Sequence, residues 1–273
     1  MNARKISKLG IGLSYIPDLR AELLAHLDEI DFFEFYSESF FYPNFDPIQK
    51  KIIAEKPMVM HGLDMSLGEI VPANQKHQSQ LAKAVKNYQP KWFSDHLCMT
   101  KSSGEEVGHL MPIEFNDEVL ENICKKITEV SELCDLPFLI ENITYYYQLP
   151  FATYGECEFI SKVVENSDCG ILLDVNNLYI NSVNHRYDPY SFIDHLPHER
   201  IIEVHIAGGS RKLGMMVDTH ANKIQAEVWA LLEYVMRRTS VKGVVLERDA
   251  NIPPIKDILA ELAYAREIAK RTC

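Results

Sequence analysis

Short apolar runs alternate with longer amphipathic segments along the chain, and this alternation predicts β-strands that are each followed by a helix. Eight runs have the length and apolar character of strands, and they are LGIGLSY (9–15), DFFEFYS (31–37), PMVMHG (57–62), KWFSDHL (91–97), PFLIENI (137–143), GILLDVN (170–176), IIEVHIA (201–207) and GVVLERD (243–249). The helical patterns between and after them include DLRAELLAHLDEI (18–30), DEVLENICKKITEVSELC (117–134), IQAEVWALLEYVMRR (224–238) and IKDILAELAYAREIAKR (255–271).

Eight β units alternating with helices in 273 residues predict an α/β fold of the (β/α)8 TIM-barrel type. No low-complexity segment, long linker or break in composition interrupts the chain, so we expect residues 1–273 to form a single domain. The alternative is an open, doubly wound parallel sheet. The first predicted strand is not followed by a GxGxxG motif, which makes that alternative weaker.

Composition narrows the classes of partner. The chain has 28 Lys and Arg against 39 Asp and Glu, a net charge of −11 that repels phosphate backbones, so we expect no nucleic-acid partner, although a local basic groove stays open. The six cysteines form no CxxC motif and indicate reduced thiols. No signal peptide and no apolar run of about 18 residues is present, which predicts a soluble, cytoplasmic protein without a membrane partner.

Polar side chains follow the predicted strands at their carboxyl ends, where TIM barrels carry their active sites. These residues are Glu34, Glu38, His61, Asp95, His96, Glu141, Asn142, Asp174, Asn176, Asn177, His205, Glu247, Arg248 and Asp249, and the loop after the seventh strand adds Asp218 and His220. Burying several carboxylates together is very costly without a counter-charge. Mixed His, Asp and Glu ligands suit zinc, iron or manganese, so the pattern predicts a metal site.

Nine of these residues are candidate metal ligands, which is more than one ion needs. They are His61, His96, Glu141, Asp174, Asn177, His205, Asp218, His220 and Glu247. Each has a structural alternative: a single histidine at a strand end is usually hydrogen-bonded, Glu141 and Asn142 could cap a helix, and Asp218 to His220 could form a polar turn. However, six successive predicted strands all carry a His, Asp or Glu at the same end. This coincidence favours two or three ions with bridging carboxylates.

The order of these ligands resembles the xylose-isomerase-like barrels, and among them the trinuclear-zinc apurinic endonucleases, which have a histidine where this chain has Asn177. The short sequence motifs around these ligands resemble those of the multinuclear non-heme iron-dependent oxidases. This is the family of the methanobactin-biosynthesis oxidase and of the thiaglutamate-pathway peptide-modifying enzyme. These motifs are HGLDMSLG (61–68), SDHL (94–97), LIEN (139–142), LLDVNNLYIN (172–181), EVHIAGG (203–209), DTH (218–220), EVWALL (227–232) and LERDANIPP (246–254). The chain departs from the family at Asp64, Asp95 and Ser39, which we expect on the rim, so the departures concern substrate choice more than metal binding.

The resemblance implies iron- and dioxygen-dependent oxidation of a cysteine in a ribosomally made precursor peptide, with a small leader-recognition protein as partner. It implies two or three iron ions of mixed Fe2+/Fe3+ valence. By analogy with the endonuclease layout, one ion is held by His61, His96 and Glu141. A second is held by Glu141, Asp174, His205 and Glu247, which are the predicted catalytic residues. A third is held by Asn177, Asp218 and His220.

Four further residues are candidates for orienting the substrate: Asn142, Tyr145, Arg248 and Asp249. Support of the metal ligands is an equally good interpretation of each. Four other histidines are expected on the surface or in loops, namely His109, His185, His195 and His198.

Three other functions stay open: a zinc-dependent hydrolase of the apurinic-endonuclease type, a sugar isomerase, and a non-catalytic metal-binding protein. The acidic composition counts against the endonuclease, which should have a basic track beside its site. The isomerase normally needs a lysine near its metals, and the strand ends offer Arg248 instead. The hypothesis of a non-catalytic metal-binding protein does not explain the number and mixture of candidate ligands.

Overall fold

The computed structural model describes residues 6–102 and 105–272. The strands in this part of the chain are β1 (Gly10–Ser14), β2 (Phe33–Tyr36), β3 (Met58–Gly62), β4 (Phe93–His96), β5 (Met99–Ser102), β6 (Glu105–Met111), β7 (Phe138–Glu141), β8 (Gly170–Asp174), β9 (Ile201–Ile206), β10 (Ser210–Lys212), β11 (Met215–Val217) and β12 (Gly243–Leu246). Eight of them close into a parallel barrel in the order β1-β12-β9-β8-β7-β4-β3-β2. The predicted TIM barrel is therefore confirmed, and its strands are the eight apolar runs.

Helices surround the barrel. They are α1 (Arg20–Ala25), α2 (Pro47–Glu55), α3 (Gln75–Tyr88), α4 (Asp117–Cys134), α5 (Glu156–Ser167), α6 (Val175–His185), α7 (Pro189–His195), α8 (Ala226–Arg238) and α9 (Ile255–Thr272). The prediction for 117–134 matches α4, and those for 224–238 and 255–271 match α8 and α9 closely. The helix predicted over 18–30 is shorter: α1 ends at Ala25, His26 is its C-cap, and a separate 3-10 turn follows from Leu27 to Glu29. None of the helices in the described residues combines the length and apolar character needed to cross a bilayer.

Side chains alternate in direction along each strand, and this places the candidate ligands next to an apolar layer, nearer the carboxyl ends of the strands. The barrel interior contains a buried cluster of Phe32, Val59, Trp92, Leu139, Leu172, Ile202 and Val245. Side chains two positions apart on a strand point to the same face. Val59, Leu139, Leu172 and Val245 therefore direct the residues two positions later to the same interior, one layer nearer the carboxyl ends. Those residues are His61, Glu141, Asp174 and Glu247.

Gly243 begins β12, the eighth barrel strand along the chain, and the apolar layer leaves no room for a side chain at this position. A β-carbon at Gly243 would lie 2.9 Å from the ring of Phe32 and 3.1 Å from that of Trp92. These large side chains fill the bottom of the barrel because the facing strand carries no side chain at this point.

Two antiparallel hairpins leave the carboxyl ends of the barrel, β5–β6 after β4 and β10–β11 after β9. A further difference from the prediction lies at 170–176, where β8 ends at Asp174 and Val175 begins α6. The reason is that Asp174 caps this helix, with its Oδ1 accepting a hydrogen bond of 2.8 Å from the backbone N–H of Asn177. Asn176 and Asn177 therefore lie in the first helical turn.

Candidate metal centre

Six predicted ligands, His61, His96, Glu141, Asp174, His205 and Glu247, meet at the carboxyl ends of the barrel strands; we call them the ligand cluster. His61 and His96 approach Glu141 from the side of β3 and β4. Glu141 Oε2 lies 3.1 Å from His61 Nε2 and 3.3 Å from His96 Nε2. The three ligand atoms lie within 4.8 Å of one another, so these buried side chains could hold one metal ion.

Glu141 also belongs to a second group, formed with Asp174, His205 and Glu247. Its other oxygen, Oε1, lies 3.5 Å from His205 Nδ1, and Glu247 Oε2 lies 3.2 Å from the same nitrogen. All four side chains are buried, and their ligand atoms lie within 4.8 Å of one another. The structure thus places one carboxylate between two groups that could each hold an ion.

Several ligand atoms in these groups make no hydrogen bond of good geometry within the described residues, although Glu141 Oε2 lies 3.1 Å from His61 Nε2 and His205 Nδ1 lies 3.2 Å from Glu247 Oε2. They are Glu141 Oε2, Asp174 Oδ2 and His205 Nδ1, all inaccessible to solvent. A buried polar atom without a partner costs about 1–3 kcal/mol, and more if it is charged. A cation among them would supply the missing partner, so the residues fit a metal site.

The protonation states of the cluster differ from one ligand to the next. Burial raises the pKa of Glu141, but three neighbouring imidazoles outweigh this and lower that pKa to about 2. Burial lowers the pKa of His61 to about 4, which leaves its imidazole neutral with a lone pair available to a metal. Burial raises the pKa of Asp174 well above its usual value, and the charge of Glu141 adds to this shift. An ion beside Asp174 would favour its carboxylate form.

The residues predicted to hold a third ion are only partly assembled. Asp218 Oδ1 lies 2.9 Å from His220 Nε2. Asn177 lines the same cavity, but its amide is engaged: Thr144 Oγ1 donates to Oδ1 at 2.6 Å, and Nδ2 donates to the carbonyl of Asn142 at 3.1 Å. One lone pair of the Asn177 oxygen remains for a metal. The third ion therefore stays a prediction.

Two residues proposed to orient the substrate are built into the framework. Asn142 is buried, and its amide bonds both the backbone N–H of Asp174 (2.9 Å) and its carbonyl (3.0 Å), which links β7 to β8. Arg248 is 4% exposed, and its guanidinium pairs with Glu261 on α9 at 2.6 Å and also donates to the carbonyl of Asn222. Neither side chain lines the cavity, which favours the supporting role.

The other two, Tyr145 and Asp249, do line the cavity. The hydroxyl of Tyr145 donates to Glu156 at 3.1 Å. Asp249 accepts from Tyr36 at 3.4 Å and lies 2.9 Å from His220 Nδ1. These two side chains are the members of the predicted set that a substrate could contact.

Sequence reasoning named Glu34 at a strand end but gave it no role, and it missed Glu203. The Nε2 of His205 lies 3.1 Å from Glu34 Oε2, on the side of the ring opposite Nδ1, which faces the ligand cluster. Glu203 lies beside this pair, and Trp92 Nε1 donates to it at 2.7 Å. Burial raises the pKa of Glu34 to about 7 and that of Glu203 well above its usual value. The signal was the two-residue spacing of Glu203 and His205, which places both in the barrel interior.

The ligand cluster opens into a cavity of about 570 Å³. Its lining comprises Tyr36, His61, Leu63, His96, His109, Leu110, Met111, Pro112, Glu141, Thr144, Tyr145, Tyr146, Tyr147, Asn177, Asp218, Thr219, His220, Glu247 and Asp249. These described residues include no lysine or arginine. The cavity therefore combines a polar floor with aromatic and aliphatic walls, and it lacks a permanently cationic side chain.

The four histidines expected on the surface or in loops differ from one another. His195 is exposed and His198 is half-buried, each bonded to a backbone carbonyl. His185 instead ends α6, and its ring stacks on Tyr145 at 4.4 Å. His109 is exposed on β6 but lines the cavity, so it belongs to the candidate site.

The positions that depart from the family pattern were expected on the rim, but none of them lines the cavity. Asp95 is fully buried and accepts from the backbone N–H of Met65 at 3.2 Å. Asp64 pairs with Lys101 at 2.8 Å, and Ser39 donates to a neighbouring backbone carbonyl at 2.6 Å. Their effect on a substrate would be indirect.

The closed barrel and the buried cluster of histidines and carboxylates define a xylose-isomerase-like TIM barrel with a candidate metal centre. Its structural neighbours include the 3-keto-D-glucoside 4-epimerase YcjR of E. coli (TM-score 0.65, 16% identity, covering 95% of this chain and 100% of that one). Endonuclease IV of Thermus thermophilus is similar as well (TM-score 0.63, 16% identity, covering 97% and 99%). At this identity the likeness concerns the fold.

Sequence comparison is more specific. The family model described as RiPP precursor modification enzyme MbnB/TglH/ChrH matches residues 10–270. A UPF0276 protein of Anaeromyxobacter sp. (strain Fw109-5) is 33% identical over 262 residues, covering 95% of this chain and 93% of that protein. One of Shewanella loihica is 34% identical over 264 residues, covering 94% and 92%. The chain belongs to the MbnB/TglH/ChrH family of RiPP precursor modification enzymes.

Proposed function

We propose that this protein is a multinuclear non-heme iron-dependent oxidase that uses dioxygen to modify a cysteine in a ribosomally synthesised precursor peptide. It would act in the cytoplasm with a small leader-recognition partner protein. The observation that carries the proposal is the set of buried ligand atoms on Glu141, Asp174 and His205 that make no well-directed hydrogen bond. They lie beneath an open cavity whose lining includes His61, His96, Glu141 and Glu247. Membership in a family of peptide-modifying enzymes supplies the substrate class.

The residues would divide the metal ions between them. His61, His96 and Glu141 would hold one iron, and Glu141 would share the second with Asp174, His205 and Glu247. Asp218, His220 and Asn177 would contribute to a third. Bound iron would supply the one-electron and dioxygen chemistry that amino-acid side chains lack.

The protein's own part in the reaction is to fix charge and position. Glu141 presents one oxygen to each group, which would hold two ions close together without a flexible link. Glu34 lies 3.1 Å from Nε2 of His205 and holds the ring so that Nδ1 faces the cluster, where it would offer a lone pair to an ion. Asn142 holds Asp174 through two hydrogen bonds to its backbone. A preorganised ligand set of this kind loses little free energy to rearrangement when it binds ions.

The alternatives have less support. An apurinic endonuclease would need cations to bind a phosphate backbone, and the described lining residues of the cavity include no lysine or arginine. The same lining lacks the lysine expected near the metals of a sugar isomerase. A cavity of about 570 Å³ above the cluster gives a substrate access that a pure metal-storage site does not need.

The test is to purify the protein anaerobically, measure its metals by elemental analysis and Mössbauer spectroscopy, and add dioxygen with a cysteine-bearing precursor peptide. We expect two or more irons per chain and oxidation of the peptide detected by mass spectrometry. The variants Asp174→Ala and His205→Ala should lose iron and activity together. The variant His195→Ala, which changes an exposed histidine on α7, should keep both.

Tightly bound zinc alone, together with cleavage of abasic DNA, would overturn the proposal in favour of the hydrolase. Full iron content in either cluster variant would show that the residue concerned is not a ligand.

A further inference from the structure

One wall of the cavity is apolar, in contrast to its floor. It consists of Leu63 from the loop after β3 and of Leu110, Met111 and Pro112 from the end of the β5–β6 hairpin; we call these four residues the apolar wall. Leu63 is 37% exposed and Leu110 is 38% exposed. These side chains therefore present aliphatic surface to the space directly above the ligand cluster.

A bulge in the hairpin places Leu110 in the apolar wall. The ladder pairs Met99 with Met111 and Lys101 with Glu106, so Thr100 faces the four residues 107–110 of the other strand. Gly108 has a φ of 76° within this bulge, a conformation that favours glycine. A bulge beside an active site redirects side chains, and here residues 109 and 110 of the bulged strand line the cavity.

The hairpin is fixed to the loop that carries Leu63. The backbone N–H groups of Thr100 and Lys101 both donate to Ser66 Oγ, at 3.1 and 3.2 Å. The loop itself is tied to α4, where the buried Lys126 donates to the carbonyl of Ser66 at 3.0 Å. The apolar wall is therefore held in place by the framework rather than by a free loop.

The surroundings of the wall restrict the charge of a ligand. The exposed Glu105 and Glu106 lie on the same hairpin, and Asp218 and Asp249 line the cavity on its polar side. Carboxylates on a ligand would be repelled by these groups, whereas an aliphatic side chain would cover exposed leucine. A ligand with an apolar side chain close to its reacting atom fits this arrangement.

We propose that the apolar wall is a subsite for an aliphatic side chain adjacent to the reacting cysteine of the peptide, and that it selects against acidic neighbours. This inference rests on the proposed function, because it takes a cysteine peptide as the substrate. Leu110 and Leu63 are the residues that determine the preference.

The test measures binding to the iron-loaded protein without dioxygen, by isothermal titration calorimetry. The probes are short acetylated peptides with one cysteine flanked on both sides by leucine, alanine or aspartate. Covering a leucine side chain stabilises a complex enough that we expect the leucine peptide to bind at least about tenfold tighter than the aspartate peptide. In Leu110→Ser, and independently in Leu63→Ser, this ratio should fall to about threefold or less.

The matched control is Val107→Ser. Val107 lies in the same bulge and is 37% exposed, but it does not line the cavity, so this variant should keep the wild-type ratio. Equal affinity for the leucine and aspartate peptides, or an equal effect of Val107→Ser and Leu110→Ser, would overturn the subsite.

A further set of peptides with serine in place of cysteine separates the two proposals. If the serine peptides bind as tightly as the cysteine peptides, the proposed function fails, whereas the subsite is still judged by the ratio between leucine and aspartate.

Discussion

The hydrogen bond between Glu34 and His205 should control how tightly the proposed metal centre binds iron. His205 is fully buried, its Nδ1 faces Glu141 and Glu247, and its Nε2 lies 3.1 Å from Glu34 Oε2. If Nδ1 binds an ion, Nε2 carries a hydrogen that needs an acceptor, because no water reaches it. Replacing Glu34 by leucine removes that acceptor.

The expected loss of metal affinity follows from the free-energy cost of leaving the Nε2–H of His205 without an acceptor. Leaving a buried N–H without a partner costs about 1–3 kcal/mol, which corresponds to a loss of about 5- to 150-fold in metal affinity. Losses of about 10- to 100-fold are typical when such a partner of a metal ligand is removed. Glu34→Gln keeps an oxygen acceptor and should restore most of the affinity.

The assay is an anaerobic competition titration of iron against a chromophoric chelator, for wild type, Glu34→Leu and Glu34→Gln. Glu38→Leu is the matched control, because Glu38 follows β2 but bonds Leu63 and His77 rather than the ligand cluster. Wild-type iron affinity in Glu34→Leu, or an equal loss of affinity in Glu38→Leu, would show that the Glu34–His205 hydrogen bond does not set iron affinity.

Three further predictions concern the framework. Burial raises the pKa of Glu203 well above its ordinary value of 4.5, so the folded metal-free protein keeps a proton that the unfolded chain loses. Its stability should therefore fall as pH rises above that ordinary value; Glu203→Gln should flatten this dependence in urea titrations, and an unchanged slope would contradict it. Gly68→Ala should lower the free energy of unfolding by about 1–3 kcal/mol, because the new β-carbon would meet an isoleucine methyl at 2.2 Å; Gly155→Ala, with nothing within 4 Å, should change little in the same thermal melts. Arg248→Met should destabilise the protein by about 3 kcal/mol because it leaves Glu261 without its buried partner, while iron content stays at the wild-type level; loss of iron would instead assign Arg248 a direct role.

The barrel and most of the ligand cluster could be predicted because both follow from local patterns. The apolar runs have strand length, and the polar residue that ends each run is forced to the carboxyl rim by the direction of the parallel strands. His61, Glu141 and Asp174 were found in this way. Glu203 was not, because it lies one layer deeper, where apolar residues are expected.

The residues that the sequence left unresolved are fixed by contacts between distant segments. Arg248 follows the last strand directly, yet its partner Glu261 lies on α9 and turns the guanidinium away from the cavity. His109 lies in a polar stretch without strand alternation, and it lines the cavity only because the hairpin bulges at Gly108. Neither arrangement has a local signature.

Glu141 belongs to both groups of the ligand cluster, and we propose that it is shared between two metal ions. The most direct test is to load wild type and Glu141→Ala with iron under anaerobic conditions and to compare iron content and Mössbauer spectra. We predict two or more irons per wild-type chain, including a magnetically coupled pair, and loss of that coupling with at least one iron in Glu141→Ala. A single, uncoupled iron in wild type, retained unchanged in Glu141→Ala, would contradict the claim.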